Sequence, residues 1–186
     1  KFLLSLFYQS SWLLRNLEWH LMANHLFSNA KALIFSGLFF EGKFSDVFLN
    51  KGIEIINAQI EEQILFDGGH FELSPMYHSI ILEDLIDILN IFRVYSYENK
   101  NLKQKIEKKL IKMIYWLSKM TFPGDDLSFF NDTSGGIASK FSDLCEYARS
   151  LEIDIKQNDF KFQGKHQISH LKDSGYIRYE NENLIS

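Results

Sequence analysis

The chain contains little cysteine, no long hydrophobic run and no cluster of basic residues. Cys145 is the single cysteine among 186 residues, which excludes an internal disulfide, and no Cys/His cluster has the spacing of a zinc site. We interpret Cys145 as a small buried hydrophobic residue rather than a nucleophile. No apolar run reaches the roughly 18 residues that span a bilayer. The lysines are scattered and the formal net charge is −4, so we expect neither nucleic acid nor membrane as a partner.

A repeat of fixed length is also missing, which argues against a solenoid. Aromatic residues make up 15% of the chain, and they could fill a core or line a carbohydrate-binding groove. The sequence starts at Lys1 without a methionine, and its apolar beginning merges into helical periodicity without a cleavage pattern. We therefore do not interpret this beginning as a signal peptide, and we expect the sequence to begin inside a longer protein.

Hydrophobic residues recur at intervals of three and four along most of the chain, which predicts six amphipathic helices. The clearest start signal is Ser74-Pro75, where a capping hydroxyl precedes a proline suited to the first helical position. Ser45 or Asp46 could cap the third helix, which the breaker Asp67-Gly68-Gly69 ends. The predicted helices cover approximately residues 3–17, 21–39, 45–66, 75–92, 102–120 and 139–151.

The C-terminal third has a different pattern. Residues 121–138 contain several glycines and a proline, which predicts a long ordered loop, and residues 153–167 have no clean period. Residues 175–179 and 184–185 predict two short strands around a turn at 181–183. Because two strands are marginal alone, we expect a partial helical domain over 1–152, a linker over 153–170 and the start of a truncated β domain over 171–186.

Six polar residues in three segments could carry chemistry. They are Asn24 and His25, His70 and Glu72, and Tyr77 and His78. The first pair lies mid-helix in the predicted pattern, and the third lies in a first helical turn. The second pair lies in the segment Asp67–Glu72, which we call the Gly-rich loop. Each pair has a structural alternative: the first could be hydrogen-bonded core residues, the second could cap the following helix, and Tyr77 could be a core aromatic residue.

Local chemistry favours Tyr77 and Asn24 as reactive groups. A phenol near a helix N-terminus is close to the positive end of the helix dipole, which favours the phenolate. This effect would help Tyr77 to act as a base, because a reference phenol titrates near pH 10. The amide of Asn24 can donate a hydrogen bond to a carboxylate or a developing enolate without bringing a titrating group.

Two ordered blocks of residues stand out around these candidates. They are Asn24–Leu26 with Asn29–Leu33 and Gly37–Phe40, and Glu62–Leu65 with Asp67–Glu72 and Ser74–His78. Together they resemble the helical domain of the heparinase II/III-like polysaccharide lyases. Residues 130–132 resemble a later loop of the same family, and residues 173–176 resemble the entry to its β domain.

The resemblance implies an incomplete (α/α) toroid of antiparallel helical hairpins, followed by a C-terminal β-sandwich. It also implies β-elimination on an acidic, uronate-containing polysaccharide. Asn24 would neutralise the uronate carboxylate, and Tyr77 would protonate the leaving oxygen and could also act as the base. His25 would be a base or a carboxylate ligand, whereas the other three candidates would contact substrate or support the site. No motif demands a metal or another cofactor.

The sequence departs from the family pattern at its end. These lyases usually complete the site with a histidine from the β-sandwich, and neither His166 nor His170 matches that position. We therefore expect a fragment of a polysaccharide lyase that is inactive or incomplete alone, with a non-catalytic glycan-binding toroid as the alternative. A periplasmic or extracellular location follows from the resemblance only. The sequence identifies neither the polysaccharide nor the oligomeric state.

Overall fold

The computed structural model describes residues 1–21, 23–155 and 165–181, and this part of the chain contains six helices and one two-stranded antiparallel sheet. The elements are α1 (Phe2–Arg15), α2 (Ala23–Phe39), α3 (Lys43–Gln63), α4 (Pro75–Val94), α5 (Lys100–Lys119), α6 (Phe141–Ser150), β1 (His166–Leu171) and β2 (Tyr176–Asn181). The predicted class, mainly helical with a short C-terminal β segment, is confirmed. None of the helices in the described ranges is long and apolar enough to cross a bilayer.

Of the two predicted helix caps, one is confirmed and one is wrong. The hydroxyl of Ser74 accepts from the backbone N–H of Tyr77, and Pro75 is the first residue of α4, as predicted. The prediction that Ser45 or Asp46 caps α3 is wrong, because the N-cap is Gly42. The Ser45 hydroxyl donates to the Gly42 carbonyl from within the first turn, and Asp46 lies in that turn, near the positive end of the helix dipole.

The placement of Asn24 and His25 in the middle of a helix is also wrong. Both residues lie in the first turn of α2, which begins at Ala23 with a left-handed φ of 48°. The error arose because Leu17 and Leu21 extend the apolar period across the turn that separates α1 from α2. Asn24 and His25 therefore sit at the positive end of a helix dipole, as Tyr77 does.

Helices α2 and α4 are held together by partly buried charged groups. The ammonium group of Lys31 on α2 donates to a carboxylate oxygen of Asp84 at 2.7 Å and also to Asp87, both on α4. Burial lowers the pKa of Lys31, but the hydrogen bonds to the two aspartates outweigh it, so the pKa lies above its usual value. This ion pair fixes the position of the two helices along each other.

The strand prediction is correct in part. The strand expected over residues 175–179 is present as β2, which pairs with β1 so that His166 lies opposite Asn181. The turn expected at 181–183 is wrong at Asn181, which lies in β2, and the strand expected at 184–185 is outside the described residues. All of strand β1 except Leu171 falls within residues predicted as linker, because its sequence is mostly polar and gives only a weak strand signal. The domain boundaries stay a prediction.

The β-hairpin is fixed to α5 by polar side chains. Arg178 donates to the carbonyl oxygens of Lys119 and Thr121 at 2.9 and 2.8 Å, where α5 ends. The carboxylate of Glu180 lies 3.5 Å from the ammonium group of Lys119 and 3.2 Å from the guanidinium of Arg178. These groups are nearly inaccessible to solvent, so the hairpin is docked rather than loosely attached. The predicted burial of Cys145 in the helical core is confirmed at 3% exposure.

Candidate functional site

The first turns of α2 and α4 lie at the same end of the helical body. The side chain of Gln63, the last residue of α3, donates to the carbonyl of Ala23 at 3.1 Å, so α2 runs antiparallel to α3. The loop from Gln63 to Ser74 leads directly into α4, so α4 runs parallel to α2.

The contact between α2 and α4 shows at which level the candidates lie. Lys31 on α2 contacts Asp84 on α4. Lys31 lies seven residues after Asn24, and Asp84 lies seven residues after Tyr77. Seven residues correspond to about two helical turns, so the two candidate residues occupy equivalent levels of neighbouring helices.

Gln63 connects the start of α2 to the Gly-rich loop, and sequence reasoning missed its role. Its side chain is fully buried, its amide group donates to Ala23 and to Gln59, and its oxygen accepts from Nε2 of His70 at 2.9 Å. Its presence in the family-like block Glu62–Leu65 was the only signal in the sequence. The amide at this position therefore holds the backbone that precedes Asn24.

We expect Gln63→Leu to lower the free energy of unfolding by roughly 2–4 kcal/mol, because it removes a hydrogen-bond partner from three groups: the Ala23 carbonyl, the side-chain oxygen of Gln59 and the His70 N–H. Chemical denaturation of the chain, followed by circular dichroism, measures this change. Gln104→Leu makes the same substitution at an exposed position of α5 and should change stability by less than about 0.5 kcal/mol. Equal effects of the two substitutions would show that the buried amide has no special role.

His78 is buried and serves as a fixed hydrogen-bonding group. Its Nε2 donates to the carbonyl of Met113 at 3.0 Å, and its Nδ1 accepts from the backbone N–H of His70 at 3.2 Å. Its ring stacks on Trp116 with centroids 4.5 Å apart. Burial, with a smaller effect of His70, lowers the pKa of His78 to about 3, so the ring is neutral. His78 fixes the Gly-rich loop against α5.

His25 lies beside the carboxyl groups of two glutamates, and one of these residues was missed from the sequence. Nδ1 of His25 is 3.7 Å from a carboxylate oxygen of Glu18. Glu18 is itself fixed by Asn29, whose side chain accepts from the Glu18 backbone N–H and donates to its carboxylate at 2.8 Å. The second carboxyl group, that of Glu72, is close enough for His25 to lower its pKa. Glu18 carried no signal in the sequence, because it lies in a turn outside any motif.

Two distant segments complete the surroundings of the loop. The side-chain amide of Asn131 donates to the carbonyls of Glu72 and Leu73, and the hydroxyl of Thr133 contacts that of Ser74 at 3.0 Å. The family-like loop at 130–132 therefore packs against the Gly-rich loop. On the other side, Asp67 accepts from both the backbone N–H and the hydroxyl of Ser174.

The chemistry available at this end of the molecule is that of amide, imidazole, phenol and carboxyl groups. The side chains of Asn24 and Tyr77 make no hydrogen bonds within the described ranges, so both are available to a ligand. Within those ranges, no group of three or more His, Cys, Asp or Glu side chains is arranged to hold a metal ion. A cavity of about 1160 Å³ lies elsewhere, between α1 and the C-terminal half of α2, and its lining is mainly apolar.

Comparison with known proteins identifies similar sequences and folds. Residues 1–162 match the family described as heparinase II/III N-terminus. A heparin-sulfate lyase of Bacteroides stercoris is 34% identical over 110 residues, which is 59% of this chain and 16% of that protein. A heparin-sulfate lyase of Bacteroides thetaiotaomicron is 25% identical over 158 residues, which is 82% of this chain and 21% of that protein.

Two solved structures share the fold. A heparinase III is 26% identical, with a TM-score of 0.65 over 82% of this chain and 24% of the other. A second heparinase III is 19% identical, with a TM-score of 0.70 over 95% of this chain and 30% of the other, and shows the fold alone. The helices therefore form part of a helical toroid, as predicted. The chain spans about a fifth of the curated relatives that it matches. It belongs to the heparinase II/III family, whose N-terminal part its residues 1–162 match.

Proposed function

We propose that the protein carrying this chain is a lyase that cleaves a uronate-containing glycosaminoglycan by β-elimination. The observation that carries the proposal is the placement of Asn24 and Tyr77 in the first turns of two parallel helices, at equivalent levels. The curated relatives are described as heparin-sulfate lyases, which supports a sulfated, acidic polysaccharide as the substrate class.

The carboxylate of the sugar would bind beside Asn24. The first turn of α2 directs backbone N–H groups and the positive end of its dipole toward an anion, and the Asn24 amide adds a donor. Neutralising the carboxylate makes the C5 proton of the uronate more acidic, because the negative charge that develops on its removal spreads onto the carboxylate oxygens.

Tyr77 and His25 would carry out the proton transfers. A base removes the C5 proton, its electron pair forms the double bond between C4 and C5, and the C4–oxygen bond breaks as the leaving oxygen takes up a proton. Tyr77 would supply that proton and could first remove the C5 proton as phenolate. His25, which is half-exposed beside Glu18, would serve as the alternative base or as a second donor to the carboxylate.

The remaining groups of the reaction would come from outside this chain. No residue of the described β-hairpin is assigned the role of the histidine that the family usually supplies from its β domain. We therefore propose that the chain is inactive alone and that a larger part of the protein completes the site. We also propose a periplasmic or extracellular location, where polysaccharides of this kind are accessible.

The elimination product provides the test. The double bond conjugated with the carboxylate absorbs ultraviolet light, so incubation of the full-length protein with heparan sulfate or another uronate polymer should raise the absorbance. Hydrolysis would cleave the same glycosidic linkage at the anomeric carbon, without forming a double bond and therefore without this signal. Binding of the polymer without any absorbance change would instead support the non-catalytic, glycan-binding alternative.

A further inference from the structure

Two buried acceptor atoms face each other in the Gly-rich loop. Nδ1 of His70 lies 3.5 Å from Oε2 of Glu72, and neither atom has a hydrogen-bond partner among the residues that the structure describes. The His70 side chain is fully buried, whereas the Glu72 side chain as a whole is 31% exposed. Two lone pairs at this distance repel each other unless a proton lies between them.

The hydrogen bonds around His70 determine which of its nitrogens lacks a proton. The Ala23 carbonyl can only accept, so the nitrogen of the Gln63 amide must point toward it. The oxygen of that amide then faces Nε2 of His70, which must donate. In a neutral ring Nδ1 is consequently an acceptor, and the proton between the two residues belongs to Glu72.

We infer that Glu72 is a neutral carboxylic acid that donates its proton to Nδ1 of His70, and that this bond makes Glu72 a positioning residue for Asn24 and His25. Further hydrogen bonds join His70 to Gln63 and Gln63 to the carbonyl of Ala23, the residue before Asn24. The second half of the inference rests on the proposed function, whereas the protonation state does not.

The charges around Glu72 favour its protonated form. Burial raises the pKa of Glu72, and Asp132 in the segment between α5 and α6 raises it further. His25 on α2 acts in the opposite direction when it is protonated. Within the loop itself His70 does not offer a counter-charge, because burial lowers the pKa of His70 to about 3.

Spectroscopy of the chain tests the protonation state without any activity. Nitrogen-15 spectra at neutral pH should show His70 as a neutral ring with its proton on Nε2, and infrared spectra should show the C=O stretch of a protonated carboxyl. That infrared band should be absent from Glu72→Gln and present in Glu107→Gln, an exposed position on α5. A doubly protonated His70 ring, or a band that persists in Glu72→Gln, would overturn the inference.

Melting temperature measured against pH tests the same bond energetically. A raised carboxyl pKa stabilises the fold fully below the ordinary value of 4.5, and this stabilisation is lost as pH rises through the folded pKa. The Glu72→Gln amide keeps a donor toward Nδ1 at every pH. The melting temperature of this variant relative to wild type should therefore increase with pH. The buried histidines act in the opposite direction, because their lowered pKa values weaken the fold as pH falls from 6.5 toward 3. Wild type and variant both contain these histidines, so the effect cancels in the difference. A difference that falls with pH would contradict a neutral Glu72.

Activity of the full-length protein tests the positioning role. Glu72→Gln should keep most of the wild-type turnover. Its kcat should decline less than that of wild type as pH rises into the alkaline range, because its donor does not ionise. Glu72→Leu, which leaves Nδ1 of His70 without a donor, should lower kcat by about tenfold or more, with a smaller change in KM. If the Gln and Leu variants were equally impaired, Glu72 would be acting as a carboxylate and the positioning role would be wrong. A protein without lyase activity would contradict the proposed function, and the spectra would still decide the protonation state.

Discussion

Replacing Tyr77 with phenylalanine should abolish turnover by the full-length protein while leaving its fold intact. Removing a group that transfers a proton in the transition state typically lowers kcat by a factor of about 10²–10⁴. The hydroxyl of Tyr77 makes no hydrogen bond within the described part of the chain, so its loss breaks no structural contact there. We therefore expect the free energy of unfolding to change by less than about 0.5 kcal/mol.

Steady-state rates from the ultraviolet absorbance of the products, together with thermal unfolding, check both parts of this expectation. Tyr8→Phe is the matched control, because Tyr8 is exposed on α1, which packs against the opposite end of α2. The control should keep the wild-type rate. A Tyr77→Phe protein that retained full turnover would show that the acid and base are other residues, with His25 the next to examine.

Replacing Gly68 with alanine should cause the largest loss of stability among single-methyl substitutions in the Gly-rich loop. Gly68 has a φ of +95°, and a Cβ atom there would lie 2.4 Å from the backbone carbonyl of Lys112 on α5. The left-handed backbone alone costs about 1–2 kcal/mol for a residue with a side chain. The contact with backbone atoms cannot be relieved by a rotamer change and adds roughly 1–3 kcal/mol.

Gly124 provides an unusually close control, because it has the same φ of +95° with nothing within 4 Å of the added methyl group. Gly124→Ala should therefore show the backbone cost alone. Denaturant unfolding of both variants gives the difference, which isolates the contact between the loop and α5. We also expect Gly68→Ala to lower activity, because it moves the backbone that carries His70 and Glu72. Equal losses of stability in the two variants would mean that the loop can shift away from α5 freely.

The sequence was sufficient to predict most of the helices, since each buries one face and therefore repeats its apolar residues every three or four positions. It also predicted the cap at Ser74-Pro75, which depends only on neighbouring residues. The strand β1 was missed because its side chains are mostly polar. Strand β1 forms by pairing with β2, which is itself fixed to the end of α5 by Arg178, and local sequence does not reveal these contacts.

The same distinction applies to the candidate site. Ordered motifs in the sequence selected Asn24, His25 and Tyr77, and the family they resemble is the one to which the chain belongs. Their catalytic roles stay predictions. The sequence could not show that Asn24 and His25 begin a helix, because the break at Ala23 depends on a left-handed backbone residue within an unbroken apolar period.

The amino-acid sequence by itself determined the helical class, the family and the residues to examine, because periodicity and motifs are properties of local order along the chain. Only the tertiary structure decided which groups meet. Gln63, Glu18 and Asn131 act through partners that lie 40, 7 and 59 residues away, and Glu72 takes its protonation state from the groups packed around it. Burial and hydrogen-bond direction set that state, and both exist only once the helices have packed.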